Sequence, residues 1–226
     1  MELMIQDLAA RRGGRAVFSG LSARVAAGQA LVVTGPNGAG KSTLLRVLAG
    51  FLPPERGKIV LSGVAGGDVA RTPGALQEHL AYTGHLDAVK PALAVAENLA
   101  LWAGLHGAGP ERVAAALDHF GLRPLAGRQA GECSAGQKRR LGLARLMVTD
   151  RPVWLMDEPT ASLDTAAAAQ VSALVRGHCE RGGIAVIATH LELGLENAVP
   201  LAMTGTEGAG GHAPAAEDDP FLAGAW

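Results

Sequence analysis

The sequence predicts an α/β fold with a mostly parallel sheet and a ligand site at the carboxyl edge of its strands. Three observations carry this prediction. Residues 35–43 read Gly-Pro-Asn-Gly-Ala-Gly-Lys-Ser-Thr, set between an apolar strand-like run, Ala30–Thr34, and a helical pattern, Ser42–Ala49, that Gly50 ends. A second apolar run, Val153–Met156, stops on Asp157 and Glu158. A third, Ile184–Thr189, stops on His190. Short runs without polar alternation suit strands buried on both faces, and the helical patterns between them supply the crossovers.

The nonapeptide is the most specific of the three. It matches the phosphate-binding pattern G-x-x-x-x-G-K-[ST] at Gly35, Gly40, Lys41 and Ser42. Gly35, Gly38 and Gly40 let backbone N–H groups of the loop, those of Asn37 and Ala39 included, turn toward one anion, while Pro36, which has no N–H, is part of the loop's turn. The helix that starts at Ser42 and Thr43 adds the partial positive charge of its N-terminus. In such a loop Lys41 reaches the β- and γ-phosphates of ATP and the Ser42 hydroxyl holds Mg²⁺. Asp157 is placed to support the same Mg²⁺ through a water. Glu158, one residue on, can polarise a water for attack on the γ-phosphate.

The other elements follow in chain order. Leu3–Leu8 and Val17–Val25 read as opening strands, with Lys58–Leu61 after the break at Pro53-Pro54. Val95, Leu99 and Trp102 fall at i, i+4 and i+7, one face of a helix. Pro110 opens a further helix with Val113, Leu117 and Phe120 on one side and Gly121 at its stop. Ser134-Ala135-Gly136-Gln137 precedes the helical pattern 138–147 and offers a hydroxyl, a close backbone approach and a helix N-terminus. A helix is expected over Thr165–Cys179. From Thr204 the chain loses its core pattern, and a flexible tail is expected over 204–226.

Composition sets limits. The chain has 226 residues, 48% of them hydrophobic, enough for a packed core. A net charge of −1 leaves no polyanion footprint, so no nucleic-acid partner is expected. Two cysteines, Cys133 and Cys179, suggest a reducing compartment rather than a disulfide framework. No run reaches the roughly 20 apolar residues of a membrane span, and the acidic Glu2 and Asp7 argue against a signal peptide.

Four motifs in order, 35–43, 134–137, 156–164 and His190, resemble the ATP-binding subunits of ABC transporters. The resemblance implies a phosphate-loop ABC ATPase domain over 1–203, with N-terminal antiparallel strands, a nucleotide core over about 1–84 and 150–203, and a helical signature subdomain over about 85–149. It implies that Ser134–Gln137 contacts ATP bound by a second copy, so that a homodimer sandwiches ATP at its interface. Asp164 would communicate across that dimer, and His190 would contact the γ-phosphate. A separate transmembrane permease would supply the membrane spans, placing the chain on the cytoplasmic face of a bacterial inner membrane.

Two positions depart from the family. His85 falls where glutamine normally contacts Mg²⁺ and signals to the permease, and Arg12 falls where an aromatic residue normally stacks on adenine. A guanidinium can stack on a purine too, and a pair of exposed arginines in a turn is the equal alternative. His85, Ala135 in the signature and the segments Phe18–Ser22 and Tyr82–His85 are similar to the cytochrome c maturation transporters, which implies haem export or release of a haem chaperone. Motors of other ABC transporters share the general motifs. ABC ATPases of DNA repair or the ribosome add a coiled coil or a second cassette, which this chain lacks.

Overall fold

The computed structural model describes residues 1–64, 76–190 and 193–204, and the backbone of 67–70. Among the described residues nine strands and five α-helices lie in the order β1 (Glu2–Arg12), β2 (Arg15–Ala26), β3 (Ala30–Thr34), α1 (Lys41–Leu48), β4 (Arg56–Val64), β5 (Gly67–Ala70), β6 (Leu80–Thr83), α2 (Val95–Leu105), α3 (Pro110–His119), α4 (Ala135–Thr149), β7 (Val153–Asp157), α5 (Thr165–Glu180), β8 (Ile184–Ala188) and β9 (Ala198–Ala202). They build two sheets. One is antiparallel with order β2-β1-β4-β5, and the other is parallel with order β6-β7-β8-β3-β9.

The parallel sheet explains the unbroken apolar runs. Along β7, Val153 and Leu155 join the core shared with α1 and the antiparallel sheet, while Trp154 and Met156 join the core shared with α2–α5. Along β8, Ile184, Val186 and Ala188 face the first core, and Ala185 and Ile187 the second. Both faces are covered, so side chains that alternate in direction are all apolar.

Helix α1 fills the gap between the sheets with Leu44, Leu45 and Leu48. Helices α2, α3 and α4, between β6 and β7 in sequence, pack on one another through Leu99, Leu117, Phe120 and Leu141. The stripe expected on α2 holds at Val95 and Leu99; Trp102 is only half buried and lies under the Arg145 guanidinium, 4.7 Å from its ring centre. Strand β9, which the sequence reading did not find, runs along the sheet edge. Its burial alternates and it carries Pro200, whose missing N–H is tolerated on an edge. The expected tail lies outside the described residues, Thr204 apart. No helix among the described residues is long and apolar enough to cross a membrane.

Candidate functional site

The strand order brings β7, β8 and β3 side by side, so the segments leaving their carboxyl ends meet. These are 157–158, 188–190 and the loop 35–40. The loop is held from behind. Gly35 has φ 141°, and a Cβ there would lie 2.2 Å from the carbonyl oxygen of Met203, just past β9. Gly40 has φ 98°, and a Cβ there would lie 2.7 Å from Val17 and 3.1 Å from Phe18 of β2. Both positions therefore need glycine, for close approach and for a backbone that L-residues avoid. Asn37 and Gly38 form an exposed tip, while Ala39 is buried. Helix α1 begins at Gly40 with no side-chain cap, so its first amides are available to an anion.

Lys41 is buried and spreads its ammonium over three acceptors. It donates to Gly35 O at 2.8 Å and Pro36 O at 3.2 Å, and meets His190 Nε2 at 3.0 Å. The same imidazole nitrogen lies 3.0 Å from Asn37 Oδ1 and 3.4 Å from Glu158 Oε1. Lysine only donates, so Nε2 accepts from Lys41 in the Nδ1–H tautomer, whereas a proton on Nε2 faces Asn37 and Glu158. His190 can therefore exchange partners without moving far.

Glu158 stands at a strained point. Its φ is 46°, in the left-handed region that costs a non-glycine residue roughly 1–2 kcal/mol. Its N–H is held by Ala188 O of β8 at 2.8 Å. Asp157 beside it is buried, and Ser42, Asp157, Glu158, His85 and Arg46 line one cavity of about 220 Å³. Arg46 was missed by the sequence reading. The available signal was its spacing, one helical turn after Ser42 on α1. No cluster of three or more His, Cys, Asp or Glu able to hold a metal occurs among the described residues. The Ser42 hydroxyl and the Asp157 carboxylate on that cavity are donors of the kind that Mg²⁺ takes, which needs one or two protein oxygens and fills the rest of its shell from phosphates and water. Ser42 and Asp157 would hold it, with His85 bordering the same cavity.

The remaining predicted residues lie apart from this cluster or have local partners. Ser134 caps α4 in a closed capping box: its hydroxyl accepts from Gln137 N at 3.3 Å, and Gln137 Oε1 accepts from Ser134 N at 2.9 Å. Ser134 and Ala135 are exposed, and Gly136 faces Ser162 O, 3.7 Å from where a Cβ would stand. Asp164 caps α5 by accepting from Ala167 N at 2.8 Å. Arg12 ends β1 opposite Arg15 at an exposed turn.

Known proteins resemble this chain in sequence and in fold. The ABC transporter family model matches residues 18–161. The chain is 50% identical over 196 residues to the cytochrome c biogenesis ATP-binding export protein CcmA of Ruegeria pomeroyi, covering 87% of this chain and 88% of that protein. It is 46% identical over 223 residues to the protein of that name from Cereibacter sphaeroides, covering 98% of both. A putative ABC transporter ATP-binding protein from Pyrococcus furiosus shares the fold, with TM-score 0.77, 23% identity and 90% and 98% of the two chains covered. An ATP-binding cassette of an ABC transporter, solved in its ADP conformation, superposes with TM-score 0.72 at 26% identity, covering 90% and 88%. A phosphate loop, an acid-ended strand and a histidine gathered at one sheet edge, in a chain this similar to these proteins, are those of an ATPase: the chain belongs to the ABC transporter ATP-binding family, among the cytochrome c biogenesis ATP-binding export proteins.

Proposed function

We propose that this chain is the ATP-hydrolysing motor of an ABC transporter in cytochrome c biogenesis, energising a separate membrane permease from the cytoplasmic face. One observation carries the chemistry: Lys41, Asn37 and Glu158 all lie within 3.4 Å of the single nitrogen His190 Nε2. The transport assignment is supported by relatives whose name specifies ATP-binding export in cytochrome c biogenesis, at 46–52% identity.

In this reading backbone N–H groups of the loop from Asn37 to Thr43 surround the phosphates, and Lys41 exchanges its loop carbonyls for β- and γ-phosphate oxygens. Ser42 and Asp157 would hold Mg²⁺, which would supply charge neutralisation to the phosphates when bound. Glu158 accepts a proton from the attacking water. His190, bonded to the γ-phosphate, keeps that water in line. The Ser134–Gln137 helix end takes the γ-phosphate of ATP bound to a second copy, and Asp164 communicates across that dimer. Arg12 stacks on adenine. His85 reads the nucleotide state beside the helical layer, where Leu86, Leu101 and Leu105 present exposed apolar side chains to the permease.

The test is Glu158→Gln. It should bind a fluorescent ATP analogue normally, lose turnover by roughly 10²–10⁴-fold, and shift to a dimer with ATP by light scattering. Hydrolysis at the wild-type rate would refute the catalytic assignment. A strictly monomeric profile, with the permease present as well, would refute the shared site. Normal c-type cytochrome maturation in cells lacking the protein would refute the transport assignment.

A further inference from the structure

Arg139 lies two residues beyond Gln137 on α4, and its guanidinium is buried. Such a group presents planar N–H donors and stays charged, so its burial demands acceptors fixed in space. Four are present. Nη1 donates to Gly84 O at 2.9 Å and Asp87 Oδ1 at 3.1 Å. Nη2 donates to Asp157 O at 3.0 Å and Glu158 O at 2.7 Å. One rigid fork therefore joins the signature helix, the loop that carries His85 and the strand end that carries Glu158.

Each arm holds something that would otherwise move. Glu158 is left-handed and needs its surroundings to keep it there. Its N–H is fixed by Ala188, and its carbonyl accepts from Arg139 at 2.7 Å and from the Ala161 N–H of the following turn at 3.0 Å. Turning that peptide back would break the Arg139 bond and swing the carboxylate. The other arm grips a loop already laid on the helices. A Cβ at Gly142 of α4 would lie 2.9 Å from Asp87 O. Buried Asn98 of α2 bonds the backbone of Lys90, Leu93 and Ala94. The loop thus travels with the helical layer, and the Arg139 bonds to the Asp157 and Glu158 carbonyls fasten that layer to the catalytic edge.

We propose that Arg139 is a positioning residue: its fork locks the Glu158 backbone to the signature helix and the His85 loop, so that a shift of α4 resets the Glu158 carboxylate. This rests on the catalytic reading of Glu158 given above. The coupling element is a set of hydrogen bonds, made in this structure, and the link requires a second state in which they are broken.

Arg139→Lys tests it. An ammonium keeps the charge but cannot bridge four acceptors in a plane. A folded R139K should lose roughly 10²-fold in kcat, the scale of a misplaced reacting group, with the affinity for a fluorescent ATP analogue changed by no more than about twofold. A kcat near wild type, or affinity falling in step with kcat, overturns the proposal. E158Q is measured beside it: wild-type turnover there refutes the reading of Glu158 itself, whereas a dead E158Q with an active R139K refutes only the role of Arg139. Should R139K not fold, amide exchange of the wild-type protein decides. Peptides over 84–88 and 157–159 should change protection together on adding ATP, and a change in one set alone overturns the link.

Discussion

His178 offers a prediction whose size follows from its surroundings. It sits on α5, 7% exposed, with its ring stacked 3.7 Å from that of Trp154 at 8° between planes. Its Nε2–H donates to Ile184 O at 3.2 Å, and a Cβ at Gly183 would lie 2.3 Å from the ring. Arg112, Arg151 and Arg181 line the adjoining cavity with Asp150, which is paired to Arg112. Burial, with the nearby Arg181 charge, lowers its pKa from 6.5 to about 4. The native state therefore resists a proton that the unfolded chain takes up. The resulting stability is fully present above pH 6.5 and is lost as pH falls toward 4. A drop of that size corresponds to about 3 kcal/mol, of which about 2 kcal/mol is gone by pH 5. For a chain of this length that is a fall in Tm of about 4–8 °C. His178→Gln keeps a donor but cannot charge. Urea unfolding of both proteins at pH 7.5 and pH 5 isolates the term, because a constant offset from lost stacking cancels. Wild type should lose about 2 kcal/mol more than the variant over that interval. Parallel pH dependence would show that His178 titrates normally in the folded state.

Gly35→Ala should weaken ATP binding by at least about tenfold, because the new Cβ meets a backbone oxygen that cannot give way; equilibrium titration with a fluorescent analogue checks it. Lys41→Ala should cost roughly 10–100-fold in the same titration, through loss of charge-assisted bonds to phosphate. His85→Ala should leave ATP affinity within about twofold while lowering turnover measured with the permease, and cells that mature c-type cytochromes normally with this variant would exclude a coupling role.

The phosphate loop, the acid-ended strand and His190 were legible in the sequence because each is a local pattern. Glycine spacing, a short apolar run and its terminating residue need only neighbouring positions to be recognised. The parallel sheet followed from the same runs, since a strand buried on both faces has no polar alternation. Strand β9 was not legible: an edge strand is half exposed and tolerates Pro200, so its pattern is weak.

What the sequence left open were relations between distant residues. It marked His190 and Asn37 separately, 153 positions apart, and only the order β7-β8-β3 puts them 3.0 Å from each other. It marked Ser134 and Asp164 as members of a shared site, and the fold adds that each also caps its own helix. It gave no sign of Arg139, because a basic residue after a signature loop reads as a solvated side chain until the helix is docked. Burial is a property of packed elements, and a guanidinium becomes a fork across three segments only when the tertiary structure brings their carbonyls to it.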